Sequence, residues 1–282
     1  MLFRWLKILF APAMLAGASA CAYALVAACA APAWFCVWWV GVLAASFAAE
    51  RAIPWLEPDA HARDDRARDV VHALVNEALS VGGLALIPLL TAASPWHGAW
   101  PASWPLWLQW LMAVLVADIG ITLTHAASHH VPWLWRLHAV HHSVERLYGL
   151  NGLLKHPLHQ LLETAAGVAP LIVLGMPQRV GELLACSVAL QLVLQHSNVD
   201  MRIGPLRHVL ALAPVHRFHH RKWAGVGDVN FGLFTTLVDR LMGTHVDDPA
   251  HRFALGDFGI GKQPDYPRAY LAQLAQPFRS RS

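Results

Sequence analysis

Thirteen of the eighteen histidines lie between His125 and His220, and eight of them form three tight motifs. The motifs are one H-x-x-x-H and two H-x-x-H-H: His125 and His129; His138, His141 and His142; His216, His219 and His220. Neutral imidazole is the commonest metal ligand, and spacings of three and four place side chains on one helix face. Each motif can therefore present two or three nitrogens to one point. Eight nitrogens exceed what one tetrahedral metal uses, so the count predicts two metal ions.

The metal that these motifs would bind is limited by ligand type, although spacing alone selects no single ion. Imidazole-rich sites suit iron, zinc, copper and nickel. The four cysteines form neither a C-x-x-C motif nor a disulfide framework, which argues against an iron–sulfur cluster. We expect them to be small buried residues in apolar stretches; they are Cys21, Cys29, Cys36 and Cys186. The sequence has no H-E-x-x-H motif, which argues against a zinc protease.

Other polar residues are candidates for roles around the metals. His156 and His196 lie between the second and third motifs, and each is expected either to bind metal or to hydrogen-bond close to it. His159 is expected to have a polar role on a helix face. Asp228 and Asn230 are candidates for orienting ligand histidines, as carboxylates and amides beside metal sites do, or for capping a loop.

Asp118 is a further candidate because it lies within an apolar segment, seven residues before the first histidine motif and on the same helix face. A carboxylate inside a membrane helix is costly and usually functional. We expect Asp118 to support a ligand histidine; an interhelical hydrogen bond is the alternative. No catalytic side chain is expected beyond the metal ligands.

Long apolar stretches predict an integral membrane protein. The chain of 282 residues is 56% hydrophobic and 14% charged, whereas soluble proteins are about 45–50% apolar and about 25% charged. Segments 8–30, 31–49 and 78–117 carry no charged residue, and about 20 apolar residues suffice to span a bilayer as a helix. The thirteen tryptophans fit, since Trp concentrates at membrane–water interfaces.

We predict an all-α fold with about four transmembrane helices, a short apolar hairpin and a helical, histidine-rich cytoplasmic cap. The long helices are expected at about 8–29, 33–50, 69–92 and 105–129, and the hairpin at 158–174 and 180–196. The hairpin segments are at the short limit for spanning and favour a shallow or re-entrant pair. Pro132 is expected to interrupt regular helix. The helix that carries the second histidine motif is expected to stop near Gly149–Gly152.

Three regions follow from this pattern: an N-terminal transmembrane hairpin and loop over 1–60, a catalytic domain over 61–250, and a polar tail over 251–282. A signal peptide is the alternative interpretation of the N-terminus, because basic residues precede an apolar run and Ala-Ser-Ala precedes Cys21. Apolar sequence continues to Ala49, which favours a retained helical hairpin.

The distribution of basic residues predicts the orientation. Lys and Arg flank the first two apolar blocks but are absent from the turn near Pro32 and from the loop 94–104. Cytoplasmic loops are enriched in Lys and Arg. The N-terminus, the 50–69 loop and the chain after His125 are therefore expected on the cytoplasmic side of a bacterial inner membrane. The basic residues form no dense patch, which argues against a nucleic-acid partner.

The order of the three motifs in a membrane protein of this size resembles the fatty acid hydroxylase/sterol desaturase superfamily. The segment from Pro132 to Ser143 looks like that family's P-x-L-W-R-x-H-x-V-H-H-S. Further segments that are similar to family motifs are Glu50-Arg51 with Pro54, Lys155-His156-Pro157-Leu158, Gln195-His196-Ser197-Asn198, Asp228 to Gly232 and Asp239 to Thr244. The departures are Ala126 for Arg, Lys155 for Arg, Val238 for Trp and Met242 for Phe. All eight motif histidines are kept, so these departures are expected to affect substrate and partner contacts more than metal binding.

The resemblance implies a non-haem di-iron oxygenase that uses O2 and two electrons to hydroxylate a lipid. It implies two iron ions as cofactors, a fatty acyl, sterol or related lipid as substrate, and a separate electron-transfer protein, since no haem or ferredoxin-like segment is visible. The alternatives are a desaturase on the same centre, a zinc-dependent hydrolase on the same nitrogens, and a metal-handling membrane protein such as a transporter or sensor.

Overall fold

The computed structural model describes residues 1–57, 65–248 and 250–279. Within these ranges the chain is helical, and β-structure is limited to isolated bridges. The α-helices are α1 Leu2–Ala27, α2 Pro32–Ala52, α3 Arg66–Ala92, α4 Leu106–His130, α5 Pro132–His142, α6 Pro157–Val173, α7 Gln178–His196, α8 Ala213–His216, α9 Leu237–Met242 and α10 Tyr270–Ala275. Short 3-10 helices span His97–Ala99, Gly149–Leu153, Gly204–His208, Leu255–Asp257 and Gln276–Phe278. The domain boundary predicted between residues 60 and 61 lies outside the described residues.

Helices α1 to α4 are each long and apolar enough to cross a membrane. At most 33% of the apolar window of any of them is buried inside the protein. An exposed apolar surface of this extent is unfavourable in water, whereas helices satisfy their own backbone groups in lipid. The prediction of an all-α integral membrane protein with four long apolar helices is confirmed.

Two details of the membrane region differ from the prediction. Helix α1 begins at Leu2 and includes Arg4 and Lys7. The Lys7 side chain reaches a polar partner at the helix end, since its Nζ lies 2.6 Å from a carboxylate oxygen of Asp200. Cys21 and Cys36, and Cys29 in the turn after α1, are exposed rather than buried. The two helix cysteines face outward, where lipid would cover them.

The apolar hairpin consists of α6 and α7 and packs against the long helices. Its closest approach to them is where α6 crosses α4. A Cβ placed on Gly120 would lie 2.3 Å from the carbonyl oxygen of Ala166, and one on Gly167 would lie 2.8 Å from Ile121 Cγ1. The two backbones therefore touch at this crossing. Helix α7 runs through the centre of the molecule, since twelve of its residues are buried.

The cap is less helical than the sequence predicts. The helix is interrupted at Pro132 as predicted, since α4 ends at His130 and α5 begins at Pro132. The fixed φ of proline suits this first helical position, where no N–H is needed. Helix α5 ends at His142, before the predicted stop. The 149–153 segment is a separate 3-10 helix that lies against α7, where a Cβ on Gly152 would meet the Leu192 carbonyl at 2.2 Å. The last histidine motif begins on α8, which is only four residues long.

Candidate metal centre

Nine histidines from α4, α5, α7 and the 216–220 segment meet in two adjacent groups. Site A comprises His125, His129, His138, His142 and His219; site B comprises His141, His196, His216 and His220. Each histidine contributes one ring nitrogen to its site, and the nitrogens of one site all lie within 4.8 Å of one another. The side chains are almost completely buried.

The two H-x-x-H-H motifs divide between the sites rather than pointing together. His138 and His142 belong to site A, but His141 belongs to site B; His216 and His220 belong to site B, but His219 belongs to site A. Each of the three motifs therefore presents two nitrogens to one site, as expected, and each H-x-x-H-H motif places its remaining histidine in the other site. In α5, successive residues are about 100° apart, so His141 and His142 point in different directions and His138 and His142 point together.

Each site is lined by Nε2 atoms. In site A, Nε2 of His219 lies 2.9 Å from Nε2 of both His125 and His142, and Nε2 of His138 lies 3.1 Å from the same two atoms. In site B, Nε2 of His216 and His220 are 3.1 Å apart. Neutral Nε2 lone pairs repel one another at this distance, and a cation between them removes the repulsion. The donor set therefore fits a pair of nitrogen-binding metal ions.

The opposite ring nitrogens fix the tautomers that metal binding requires. His125 Nδ1 lies 2.8 Å from the Phe231 carbonyl. His141 Nδ1 lies 2.9 Å from the Leu154 carbonyl, and His219 Nδ1 lies 2.9 Å from the Val229 carbonyl. A carbonyl only accepts, so each Nδ1 carries the hydrogen and each Nε2 keeps its lone pair. His129 donates in the same way to Asp228 Oδ1 at 2.8 Å.

The cap histidines are held neutral. Burial lowers the pKa of each well below the ordinary value of 6.5, and neighbouring histidines lower it further; these residues are His138, His141, His142, His216, His219 and His220. An unprotonated imidazole is the form that binds metal. Conversely, the hydrogen bond from His129 lowers the pKa of Asp228 from its ordinary value, which keeps this carboxylate charged.

The two additional histidine candidates have different positions. His196, at the end of α7, completes site B, and its Nδ1 lies 3.1 Å from Asn151 Oδ1 while its Nε2 is buried without a partner. His156 belongs to neither site. Its Nδ1 accepts from the Leu158 N–H, so it caps α6, and its Nε2 lies 3.2 Å from the Leu274 carbonyl.

Of the three candidate supporting residues, Asp228 alone hydrogen-bonds a histidine. Asp118 accepts from Phe234 N and Thr235 N at 2.7 and 3.1 Å, and Asn230 donates to the carbonyls of Val215 and Val246. These contacts fix the 229–235 loop, whose carbonyls accept from His125 and His219. Asp118 and Asn230 thus act on the histidine rings only through the backbone of this loop.

Several contributors to the site are not apparent in the sequence. The carbonyls of Leu154, Val229 and Phe231 carry no residue signature. Asp239 accepts from the N–H groups of Phe231 and Gly232 at 2.8 Å. Its place in the segment that resembles the family's D-R-L motif is the one feature of the sequence that could have identified this role. His159 and Glu163 adjoin His138. The sequence predicted a polar role on a helix face for His159 and did not indicate this contact.

A cavity of about 290 Å³ reaches site A from the protein surface. His129, His142 and His219 lie along it, and none of the site B histidines does. Arg221, Lys222 and Lys262 also line it. The cavity therefore gives a small group access to one of the two sites beside three cationic side chains.

The fold and the two sites define a metal-binding integral membrane protein. Residues 110–244 match the fatty acid hydroxylase family. An ornithine lipid hydroxylase from Rhizobium tropici is 33% identical over 87% of this chain and 76% of its own length. An alkylglycerol monooxygenase from Danio rerio is 29% identical over 53% of this chain and 31% of its own length. A very-long-chain aldehyde decarbonylase from Oryza sativa is 28% identical over 49% of this chain and 54% of its own length. No solved structure matches the chain.

The chain belongs to the fatty acid hydroxylase family, which confirms the resemblance drawn from its motifs. The hydroxylases and monooxygenases among its relatives indicate an oxidoreductase. The family match covers all nine histidines of sites A and B.

Proposed function

We propose that this protein is a membrane-bound, non-haem di-iron oxygenase that hydroxylates a C–H bond of a lipid. The observation that carries the proposal is the pair of adjacent, buried sites that offer five and four imidazole nitrogens. Nitrogen-rich sites suit iron, and family membership favours iron among the metals that imidazole binds. The proposed ligands are the nine histidines of sites A and B, and His156 is not among them.

The reaction would consume one lipid C–H bond, O2, two electrons and two protons, and would yield an alcohol and water. Bound iron would supply the oxidising power that amino-acid side chains lack. The protein's own residues hold the ligand nitrogens in place, fix their tautomers through carbonyls and Asp228, and exclude bulk water by burial. A separate electron-transfer protein would deliver the electrons.

The cavity beside site A is the proposed entrance for the reacting part of the lipid. Its volume of about 290 Å³ is at the lower limit of pockets for small molecules, which are about 300–1,000 Å³. The cavity therefore suits part of a lipid rather than the whole molecule. The rest of the lipid would remain outside, in contact with the apolar helices.

The proposed substrate class is a membrane lipid with an anionic or amino-acid headgroup. The Rhizobium tropici relative is named as an ornithine lipid hydroxylase, and an amino-acid headgroup can present a carboxylate. Arg221, Lys222 and Lys262 along the cavity would attract such a group, and Arg pairs with carboxylates through two hydrogen bonds. An ornithine lipid is the first substrate to test.

The proposed location is a bacterial inner membrane with the histidine cap on the cytoplasmic side. This orientation rests on the distribution of Lys and Arg between the loops. It would place sites A and B within reach of a soluble cytoplasmic electron donor, while the substrate stays in the membrane.

The test measures metal and product together. Full-length protein purified in detergent should contain about two irons per chain, and with a reductase system and an ornithine lipid it should form a product heavier by one oxygen. A His141→Ala variant should lose the metal of site B and the activity. Folded wild-type protein without metal would contradict the proposal.

The same experiment separates the alternatives. A product lighter by two hydrogens would indicate a desaturase, and turnover without O2 consumption would indicate a hydrolase. Metal uptake into proteoliposomes without lipid turnover would indicate a metal-handling protein. Tightly held, non-exchangeable metal would argue against that last alternative.

A further inference from the structure

Lys155 and Glu163 form a buried ion pair beside the proposed metal centre. Lys155 Nζ lies 2.5 Å from Glu163 Oε2, and both residues are more than nine-tenths buried. Taking two charges out of water is expensive, and the attraction between them often does not recover the cost. The pair is therefore better explained by what it positions than by the stability it adds.

Site A contains a histidine whose second ring nitrogen is buried and unpaired. His138 directs Nε2 towards the site, whereas its Nδ1 has no partner. The Nδ1 atoms of His125, His129 and His219 each have an acceptor within 2.9 Å. A metal-binding histidine almost always donates its second N–H to a carboxylate, carbonyl or water, so His138 requires an acceptor on this side.

Glu163 is the carboxylate beside His138. His138, His159 and Glu163 bring one ligand atom each within 4.8 Å of one another. Glu163 Oε1 is itself buried without a partner, although a carboxylate oxygen accepts hydrogen bonds readily. One ring nitrogen of His138 therefore lies within 4.8 Å of one carboxylate oxygen of Glu163, a separation that a bridging water can span.

The neighbouring His159 does not compete as a donor. Ser128 Oγ donates to the Thr124 carbonyl at 2.7 Å, so it accepts from His159 Nε2, which lies 2.9 Å away. His159 therefore carries its hydrogen on Nε2, and its Nδ1 is bare. His138 Nδ1–H is left as the donor of this region, with Glu163 Oε1 and His159 Nδ1 as acceptors.

We propose that Glu163, held in place by Lys155, positions His138 as a ligand of the metal in site A. The inference rests on the proposed function, because it requires a metal at that site. A carboxylate next to Nδ1–H fixes the ring orientation and strengthens Nε2 as an electron donor. The contact between Lys155 Nζ and Glu163 Oε2 holds the carboxylate in place and leaves Oε1 free to accept from His138.

The position of Lys155 in the chain couples it to both sites. It follows Leu154, whose carbonyl accepts from His141 of site B, and its own carbonyl accepts from Asn76 Nδ2 at 3.0 Å. The backbone at 154–155 therefore holds a site B ligand directly, while the Lys155 side chain acts on site A through Glu163. Removing the Glu163 charge should affect the metal in site A alone.

The test is titration of Co2+ into metal-free, full-length protein in detergent, followed by visible absorption of the bound ion. Wild-type protein should bind two ions. In Glu163→Gln, the affinity for one ion should fall about 10–100-fold, as loss of such a hydrogen-bond partner typically causes, and the affinity for the other should be unchanged. Glu163→Asp, which keeps the charge, should lie between the two.

The matched control is Glu182→Gln on α7, the other helix of the hairpin, where Glu182 Oε1 accepts from Gln178. This variant should bind both ions as wild type does. Unchanged affinity for both ions in folded Glu163→Gln, or equal loss at both, would overturn the positioning role and leave the proposed function intact. Wild-type protein that binds fewer than two ions would instead contradict the proposed function.

A second variant covers the case in which Glu163→Gln does not fold. The double variant Lys155→Met with Glu163→Gln removes both charges and leaves no unpaired ion in the interior. Weaker binding of one ion in this protein supports the proposal, and wild-type binding of both ions overturns it.

Discussion

The contact between His129 and Asp228 shows how a single hydrogen bond can prepare a metal ligand. Asp228 Oδ1 accepts from His129 Nδ1 at 2.8 Å, and Asp228 Oδ2 accepts from the Gly225 N–H. The Gly225 N–H thus orients the Asp228 carboxylate, and the carboxylate in turn orients the His129 ring. His129 Nε2 is then directed into site A, where it is buried without a protein partner.

The first prediction concerns this pair. Asp228→Asn should weaken the site A metal about 10–100-fold, because the amide accepts from His129 less strongly than the carboxylate does. The measurement is metal retention against a chelator of known affinity. Asp248→Asn, at an exposed position, is the control and should retain both metals. Retention of both metals by Asp228→Asn as well would show that this hydrogen bond does not matter for binding.

The second prediction separates His196 from His156, which the sequence could not rank. His196→Ala removes a proposed ligand, so one of the two metals should bind more weakly by more than the roughly 10–100-fold that loss of a ligand's partner costs. His156→Ala removes a helix cap outside both sites, so both metals should remain. Metal content after desalting distinguishes the two variants. Loss of metal in His156→Ala but not in His196→Ala would show that His156, rather than His196, is a ligand.

The sequence predicted eight of the nine histidines of the two sites because their spacing is local. It could not predict their division between the sites, since that depends on the direction in which α5 and the 216–220 segment approach α4. It also could not reveal the carbonyls of Leu154, Val229 and Phe231, because every residue has a carbonyl. Only the folded chain shows which carbonyls face a ring.

At the scale of elements, the close crossing of α4 and α6 sets the position of the first histidine motif. Gly120 lies five residues before His125 on α4, and its Cα faces the backbone of α6 at Ala166 and Gly167. Helices approach this closely only where small residues remove the side chains between them. The spacing of α4 from the hairpin therefore depends on glycine at this position.

The third prediction follows from this crossing. Gly120→Ala places a methyl group against a backbone carbonyl that cannot move aside, so we expect a loss of stability of about 1–3 kcal/mol, as overpacking usually causes. Gly83→Ala in α3 is the control, because a Cβ there meets nothing within 4 Å, and its stability should not fall. Thermal unfolding in detergent measures both. Equal unfolding temperatures for the two variants would contradict the close crossing.

The apolar helices were largely predictable and the short helices of the cap were not, for a physical reason. Helices α2 and α4 begin and end within two residues of the predicted limits, because an apolar run that must span lipid defines its own length. The cap has no such constraint. Helix α5 stops at His142, and the last motif leaves α8 after His216, because side-chain contacts rather than periodicity decide where these segments turn.

At the scale of the whole molecule, the nine histidines connect parts of the chain that are distant in sequence. Site A joins α4, α5 and His219, and site B joins α5, α7 and the 216–220 segment. Metal ions bound there would link the membrane helices to the cap. A ligand that binds only the folded state stabilises it in proportion to the logarithm of its concentration over Kd.

The fourth prediction is that metal removal lowers the unfolding temperature. At a metal concentration about 1,000-fold above Kd, each ion should stabilise the fold by about 4 kcal/mol. Treatment with a chelator should therefore lower the unfolding temperature of wild-type protein, and Fe2+ should restore it. His141→Ala should respond less because site B lacks a ligand. Identical unfolding with and without metal would show that the histidines do not bind ions in the folded state.

The fifth prediction concerns orientation in the membrane. The Arg202 N–H donates to the Lys7 carbonyl at 2.7 Å, so the start of α1 lies beside the cap, and Cys29 lies at the far end of α1 in an exposed turn. If the cap is cytoplasmic, Cys29 faces the opposite compartment. A variant that retains only Cys29 should react with a membrane-impermeant maleimide applied to spheroplasts. A cysteine-free protein carrying Ala224→Cys, at an exposed cap position, should react only after lysis, and the reverse pattern would invert the proposed orientation.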